Sequence, residues 1–183
     1  MTPSTTHRKK LPIGIQTFAK IREDDAYYYV DKTALILNLV EQGTHYFLSR
    51  PRRFGKSLLL DTIAELFAGN RALFTGLHAD AHWDWETRYP VVRISFGQGV
   101  LHSRTALETR IRLLLQDNYT RLGVALSEGQ DVSGLLSHLL QQLHRQSGQR
   151  VVVLVDEYDK PILDNITESE VARVMRDGLR NRP

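Results

Sequence analysis

The residues of this chain with the clearest chemical potential are Gly55, Lys56 and Ser57, which stand between a short apolar run and an amphipathic stretch. At the start of a helix the first backbone N–H groups have no partner inside the helix, and the helix dipole adds positive potential. Phosphate groups bind readily at such a position. We expect Gly55 to let the backbone approach a phosphate, Lys56 to place its ammonium between the β and γ oxygens, and Ser57 to give its hydroxyl to Mg²⁺.

The loop before these residues departs from the usual phosphate-loop pattern at one position. The pattern G-x-x-x-x-G-K-[ST] begins with a glycine, and this chain has Arg50 there. Either the loop starts along a different backbone path, or Pro51 and the neighbouring arginines help to bind the phosphate. On these residues alone, a basic turn that only caps a helix explains the pattern as well as a nucleotide site does.

A second polar set, Asp156 and Glu157, ends the apolar run at residues 151–155. The run does not alternate between apolar and polar residues, which is typical of a strand covered on both faces of a parallel sheet. Ligands of open α/β sheets bind at the carboxyl ends of the strands. There Asp156 can hold Mg²⁺, usually through water, and Glu157 can orient or deprotonate an attacking water. Alone, the acidic end is more simply a polar cap; together with the lysine loop it favours a nucleotide site.

The elements that must position these groups alternate between strands and helices. Apolar and β-prone runs predict short strands, and helical spacing of apolar residues predicts helices between them. The predicted strands cover residues 27–30, 46–48, 90–96 and 151–155. The alternation indicates an α/β fold with a mostly parallel sheet and crossover connections.

The predicted helices have recognisable starts and stops. Asp31 is the predicted N-cap of a helix that Gly43 ends, and the helix after Gly55 stops at residues 69–70. Leucine-rich faces mark helices at residues 104–121 and 132–146, and we expect both faces to be core. A capping box at residues 167–170 begins a last helix.

Composition narrows the class of protein. The chain has 183 residues and a net charge of +3, with 24 basic residues and no cysteine. A chain of this length predicts about one domain, because domains usually have about 150 residues. The lack of cysteine fits a reducing, cytoplasmic compartment. No apolar run is long enough for a membrane helix, and residues 1–10 are predicted to be a disordered basic tail without a secretory signal.

The string RPRRFGKS at residues 50–57 resembles the P-loop of the AAA-ATPase-like group of prokaryotic proteins, whose members often carry a PD-(D/E)XK nuclease-like domain after the ATPase. The string is highly specific to that family and accounts for Arg50, because the family has arginine where other P-loops have the first glycine. The other matching stretches are LPIG at residues 11–14 with Phe18, YVDKT at 29–33, PVV at 90–92 and DEYDKP at 156–161.

The resemblance implies a P-loop three-layer sandwich over residues 11–183 with ATP and Mg²⁺ as ligands. Lys56 and Glu157 would be the catalytic residues, and Ser57 and Asp156 would support the metal. The loop that contacts the nucleotide would comprise Arg50, Pro51, Arg52, Arg53, Phe54, Gly55, Lys56, Ser57 and Leu58. Residues 29–33 would contact the base or, more simply, form a strand and a helix cap, and Asp159 and Lys160 match the family without an assigned role.

The resemblance ends where the family continues with further strands, one of which brings a sensor residue beside the γ-phosphate. We therefore expect a fragment or a truncated gene product with C-terminal strands missing, in which ATP hydrolysis can be lost while binding survives. No carboxylate–lysine cluster of a nuclease is visible, so nuclease activity is not carried over.

Three other interpretations stay open. The chain could be a non-catalytic module that binds protein or nucleic acid through its arginine clusters at residues 50–53 and 173–182, or that self-associates through an exposed leucine-rich face. A kinase-type phosphotransferase would use the same loop, but no acceptor site is marked. His78, His82 and Asp84 could in principle bind a metal, although Trp83 and Trp85 beside them suggest packing instead.

Overall fold

The computed structural model describes residues 8–23, 26–51, 53–99, 103–163 and 165, together with residues 173, 176, 177 and 179. It forms two compact units, Met1–Arg88 (unit 1) and Tyr89–Pro183 (unit 2). Most of the predicted tail and the capping box at residues 167–170 lie outside the described residues. Within the described part of the chain, every helix is too short or too polar to cross a lipid bilayer.

Unit 1 is built from short helices around an aromatic core. Its helices are α1 (Phe18–Arg22), α2 (Thr33–Gln42), α3 (Lys56–Phe67) and α4 (His78–His82), with a 3₁₀ turn at Arg71–Phe74. Phe18 and Phe74 are fully buried with their ring centroids 4.9 Å apart. The Trp85 ring lies 5.2 Å from the Phe74 ring, so the aromatic stretch after α3 supplies part of this core.

The strand predicted at residues 46–48 is wrong. Tyr46, Phe47 and Leu48 lie in irregular, exposed chain, and no strand in the described part of the protein pairs with them. The prediction at residues 27–30 is also wrong as a strand, because only Tyr27 forms a backbone bridge, with Lys10. A strand forms only where a neighbour satisfies its backbone groups, so β-prone side chains do not suffice.

Asp31 joins the start of α2 to the start of α4. One carboxylate oxygen accepts the Thr33 N–H and hydroxyl, both at 2.8 Å, and the other accepts the His78 N–H at 2.7 Å. The buried Thr33 hydroxyl in turn accepts the Ala79 N–H at 3.0 Å. The N-cap position itself is Lys32 rather than Asp31, so Asp31 caps the helix from one residue further out.

These hydrogen bonds control the ionisation of Asp31. Partial burial alone would raise its pKa, but the hydrogen bonds from His78 and Thr33 outweigh burial and hold the pKa below its usual value. A carboxyl group whose pKa is lower in the folded state stabilises the fold above its unfolded pKa, and this stabilisation is lost as the pH falls through the folded pKa.

Unit 2 contains the sheet. Its elements are β1 (Val91–Ser95), α5 (Arg104–Arg121), α6 (Val132–Ser147), β2 (Val152–Asp156) and α7 (Lys160–Leu163). The two strands are parallel, with Val91 opposite Val152 and Ser95 opposite Asp156. The predicted strands, the two helices between them and the parallel pairing are confirmed. The described sheet has two strands, so the fold shown is mixed α/β rather than a full three-layer sandwich.

The leucine-rich faces of α5 and α6 fill the core of unit 2. Leu107, Leu115 and Leu139 are fully buried, and they cluster with Val92 of β1. The helices are capped as their sequences require: the Ser103 hydroxyl accepts the Ala106 N–H, and Asp131 accepts the Gly134 N–H. The prediction that these faces are core is confirmed for the residues that line this cluster.

The outer edge of β1 is closed by side chains of α5. The Asn118 amide accepts the Arg93 N–H at 2.9 Å and donates to the Arg93 carbonyl at 2.7 Å. Arg121 donates to the Val91 carbonyl at 2.7 Å. The Asn118 side chain thus pairs with β1 as a neighbouring strand would, and β1 is an end strand of the described sheet.

β2 differs from β1 in its exposure. Val153 and Val155 are 41% and 42% exposed, so the expectation of a strand covered on both faces is not met by the described residues. In the observed register, the backbone groups of residues 152, 154 and 156 face β1 and those of Val153 and Val155 face away from it.

The closure of the β1 edge can be tested by replacing Asn118 with alanine. Asn118→Ala leaves the Arg93 N–H and carbonyl without these partners, so we expect the free energy of unfolding to fall by about 2–3 kcal/mol. Urea denaturation followed by circular dichroism measures this loss, and hydrogen exchange should show faster exchange at the Arg93 amide. Asp117→Ala, at an exposed neighbour on α5, is the control. Unchanged protection of the Arg93 amide in Asn118→Ala would contradict the pairing.

The Asp31 link can be tested through its pH dependence. We expect Asp31→Ala to lower the free energy of unfolding by about 1–2 kcal/mol near neutral pH. The difference from the wild type should shrink below the unfolded pKa of about 3.9, because the wild-type carboxylate then becomes protonated. Urea denaturation followed by the fluorescence of Trp83 and Trp85 reports on unit 1 alone. Glu41→Ala, at an exposed carboxylate in the last turn of α2, serves as control; equal losses for both variants at every pH would exclude the link.

Candidate functional site

The lysine loop places Gly55 in the left-handed backbone conformation immediately before α3. Gly55 has φ 77° and ψ 21° and is the N-cap of the helix, whose first turn receives no side-chain capping hydrogen bond. A Cβ atom built on Gly55 would meet nothing within 4 Å. The helix therefore begins at Lys56, with an N-cap residue that has no side chain to cap it and with open space beside that glycine.

Lys56 closes the loop on itself. Its ammonium donates to the Arg50 carbonyl at 2.6 Å, so the side chain spans the loop from the helix start to the residue that replaces the first glycine of the usual pattern. Between them Arg53 also has a left-handed backbone, with φ 66°. Arg52 lies outside the described residues. The predicted contact residues at positions 50–51 and 53–58 thus share one compact turn, in which Ser57 and Leu58 are half-buried and Phe54 is exposed.

The acid pair ends β2 in unit 2. Asp156 occupies the last position of the strand, opposite Ser95 at the end of β1, and its carboxylate accepts the Glu157 N–H at 2.9 Å. Glu157 has a left-handed backbone with φ 51°. The two strands therefore end at one edge, where both carboxylates and the Ser95 hydroxyl are grouped.

Two residues that sequence reasoning left without a role, Gly97 and Lys160, join this group. A Cβ atom on Gly97 would lie 3.0 Å from Oε2 of Glu157 and 3.5 Å from the Ser95 hydroxyl. Lys160 donates from its ammonium to the Gly99 carbonyl at 2.7 Å. The parallel register, had it been known, would have pointed to residues just after β1, because they follow the strand that ends opposite Asp156.

The two halves of the predicted site belong to different units. Lys56 and Ser57 are in unit 1, and Asp156 and Glu157 are in unit 2. Unit 1 has a glycine N-cap at the start of α3, where anions commonly bind, and unit 2 has carboxylates at the end of a parallel strand.

The two histidines in unit 1, His78 and His82, pack against each other. The rings of His78 and His82 are stacked with centroids 3.9 Å apart, and Nδ1 of His82 lies 2.7 Å from the His78 carbonyl. Asp84 accepts the Glu86 N–H and the Thr87 hydroxyl, which fixes it in a turn. Within the described ranges, no three or more His, Asp or Glu side chains are grouped so that they could hold a metal ion.

Comparison with known proteins identifies the family. The family described as "Predicted AAA-ATPase" matches residues 12–182. An uncharacterized protein in the vnfD 5′ region of Azotobacter chroococcum mcd 1 is 63% identical over 174 residues, which make up 95% of this chain and 34% of that protein. The chain thus spans about a third of that relative, and no solved structure matches it. Since the family match takes in both the lysine loop and the acid pair, this chain belongs to the predicted AAA-ATPase family.

Proposed function

We propose that this chain is the ATP-binding P-loop part of an ATP hydrolase, with the phosphates held by residues 50–58. The observation that carries the proposal is the left-handed Gly55 at the N-cap of α3, which gives the helix start no side-chain cap. Such a helix start attracts anions through its free N–H groups and its dipole. Membership of the predicted AAA-ATPase family supports ATP as the anion.

The proposed role of Lys56 is to neutralise the phosphate chain. In the structure its ammonium is bound to the Arg50 carbonyl, an uncharged partner that a phosphate oxygen can replace with a stronger, charge-assisted hydrogen bond. Arg50, Pro51, Arg53 and Phe54 are exposed around the same turn, so the arginines can add positive charge beside the nucleotide. Arg52 is included in the proposed loop on its sequence alone.

The donors proposed for Mg²⁺ suit a hard cation. Ser57 offers a hydroxyl oxygen in the first turn of α3, and Asp156 offers carboxylate oxygens at the end of β2. Mg²⁺ commonly takes one or two protein oxygens, with phosphate oxygens and water completing its shell, so a site with few side chains fits the chain. Bound there, the ion would neutralise charge on the β- and γ-phosphates.

Glu157 is the proposed residue that orients the attacking water. Its exposed carboxylate follows the metal-supporting Asp156 directly and stands at the carboxyl edge of the sheet. As a general base or water-orienting group it would hold the water for attack on the γ-phosphorus, with ADP as the leaving group and phosphate as the second product.

Backbone strain gives independent support. Among the described residues, the non-glycine residues with a left-handed backbone are Arg53 and Glu157. Each conformation costs about 1–2 kcal/mol in a residue with a Cβ atom, and such strain tends to cluster at functional sites. One of these residues lies in the lysine loop and the other in the acid pair, which are the two places that the sequence assigns to ATP chemistry.

The phosphate role can be tested with Lys56→Ala. Removal of the ammonium eliminates a charge-assisted hydrogen bond, so the affinity for ATP should fall by about tenfold to a hundredfold. Isothermal titration of the full chain with ATP and Mg²⁺ measures the change.

Lys20→Ala removes an exposed lysine from α1 and should bind ATP as the wild type does. An ATP affinity of Lys56→Ala equal to that of the wild type would contradict the assignment. Binding to DNA that falls steeply with salt, with no ATP binding, would instead favour the non-catalytic interaction module.

The role of Glu157 predicts a separation of binding from turnover. Glu157→Gln keeps the size of the side chain but removes its charge, so ATP affinity should stay within about twofold while kcat falls by about 10²–10⁴-fold. Phosphate release under saturating ATP measures kcat. Glu128→Gln, at an exposed site, is the matched control, and a Glu157→Gln variant with wild-type turnover would exclude the proposed role.

A further inference from the structure

Two loops meet at the carboxyl edge of the sheet in unit 2. We call residues 97–99, after β1, the glycine loop, and residues 157–160, after β2, the acid turn. Lys160 of the acid turn donates to the Gly99 carbonyl at 2.7 Å, and Gly97 of the glycine loop lies against the Glu157 carboxylate. The two loops thus contact each other at two points. At the lysine contact, the two residues are 61 positions apart in the sequence.

Glu157 needs this support because its own backbone is strained. A left-handed glutamate at φ 51° is unfavourable for a residue with a Cβ atom. Two local hydrogen bonds hold the turn: the Glu157 N–H donates to Asp156 at 2.9 Å, and the Lys160 N–H donates to the Glu157 carbonyl at 3.0 Å. They fix the backbone of Glu157, but they leave the position of its carboxylate to the neighbouring loop.

Gly97 provides the space in which that carboxylate lies. A Cβ atom at residue 97 would stand 3.0 Å from Oε2 of Glu157 and 3.3 Å from its carboxyl carbon. This separation is tighter than ordinary van der Waals contact, so a side chain at residue 97 requires the carboxylate or the loop to shift by a few tenths of an ångström. The backbone of Gly97 does not have the positive φ that glycine favours, so the glycine is needed for space rather than for conformation.

Lys160 keeps the glycine loop in place. Gly99 has φ 80°, and a loop with two glycines in three residues has much conformational freedom to lose on ordering. The hydrogen bond from Lys160 to the Gly99 carbonyl offsets part of that loss and fixes the loop against the acid turn. This contact gives a physical role to a residue of the DEYDKP string for which the sequence offered none.

We propose that Gly97 and Lys160 are positioning residues that set where the Glu157 carboxylate stands, and hence where the attacking water is held. The inference rests on the proposed ATP hydrolysis and adds to it two residues that act through Glu157. Gly97 acts through the space beside the carboxylate, and Lys160 acts through the position of the glycine loop.

The first experiment enlarges residue 97. In Gly97→Ala the carboxylate must move by a few tenths of an ångström, and in Gly97→Val it must move further. Since a displacement of about 1 Å can cost a hundredfold in rate, we expect kcat to fall by about three- to tenfold in Gly97→Ala and by more in Gly97→Val. The KM and the ATP affinity should stay near wild type. Gln98→Ala, in the same exposed loop, is the control.

A double-mutant cycle shows whether Gly97 acts through Glu157. If it does, Gly97→Ala should cost nothing further in a protein that already carries Glu157→Gln, because the carboxylate that it displaces no longer acts. Thermal unfolding of each variant separates this effect from loss of the fold. Additive losses in the double variant would overturn the inference.

The second experiment tests Lys160 without relying on turnover. In the unliganded protein, Lys160→Met should speed hydrogen exchange at residues 97–99 by about three- to tenfold, which corresponds to loss of one hydrogen bond of about 1 kcal/mol. Lys160→Arg, which retains a donor, should restore most of the protection and of the wild-type kcat. Lys20→Met, on α1, is the matched control.

The outcomes separate this inference from the proposed function. If ATP binding does not depend on Lys56, the proposed function fails whatever the exchange data show. If ATP binding depends on Lys56 while Gly97→Ala and Lys160→Met leave both kcat and exchange unchanged, the positioning role fails and the proposed function stands. A wild-type chain that binds ATP but releases no phosphate would overturn the positioning role as well.

Discussion

The parallel pairing of β1 with β2 is the constraint on which the grouping of polar residues in unit 2 depends. Because parallel strands end at the same edge, the register that sets Ser95 opposite Asp156 also brings the glycine loop beside the acid turn. A one-residue slip would move the side chains of β2 to the opposite face. On its other edge, β1 is held against α5 by the side chains of Asn118 and Arg121.

Unit 1 positions its lysine loop through a helix start rather than through strand pairing. Its loop has no described strand partner, so the position of Lys56 depends on the start of α3 and on the hydrogen bond across the loop to Arg50. α3 itself is anchored to α1, because Asp61 accepts the Phe18 N–H at 2.6 Å. The lysine loop is therefore fixed at its helix end, and the chain that leads into it, residues 44–50, is exposed.

Helices and strands are predicted well where the local sequence determines them. They are predicted poorly where they depend on a pairing partner elsewhere in the chain. The helices at 104–121 and 132–146 carry their caps and their apolar faces within themselves, and both are confirmed. The run at 46–48 has strong β-propensity, yet it is not a strand because strand formation requires a neighbour that local sequence cannot specify. Asn118 reads as one polar residue in a helix, and only the fold shows that it closes a strand edge.

The same distinction applies to the candidate site. Lys56, Ser57, Asp156 and Glu157 can be proposed from sequence, because the chemistry proposed for them depends on residue type and order. Gly97 and Lys160 cannot, because their roles depend on distances between loops far apart in the chain.

Backbone strain connects Glu157, which the sequence indicates, with Gly97 and Lys160, which only the fold indicates. A glycine at residue 53 or 157 would relieve the left-handed backbone at little steric cost, yet the chain has Arg53 and Glu157, which bear charged side chains. At Glu157 the carboxylate is the group that the proposed reaction needs, so a glycine there would remove the strain together with the function. The surrounding hydrogen bonds at Asp156 and Lys160 then act as the compensation that makes a strained glutamate tolerable. Support from the neighbouring loop follows as a requirement of placing a charged residue at a turn position that suits glycine.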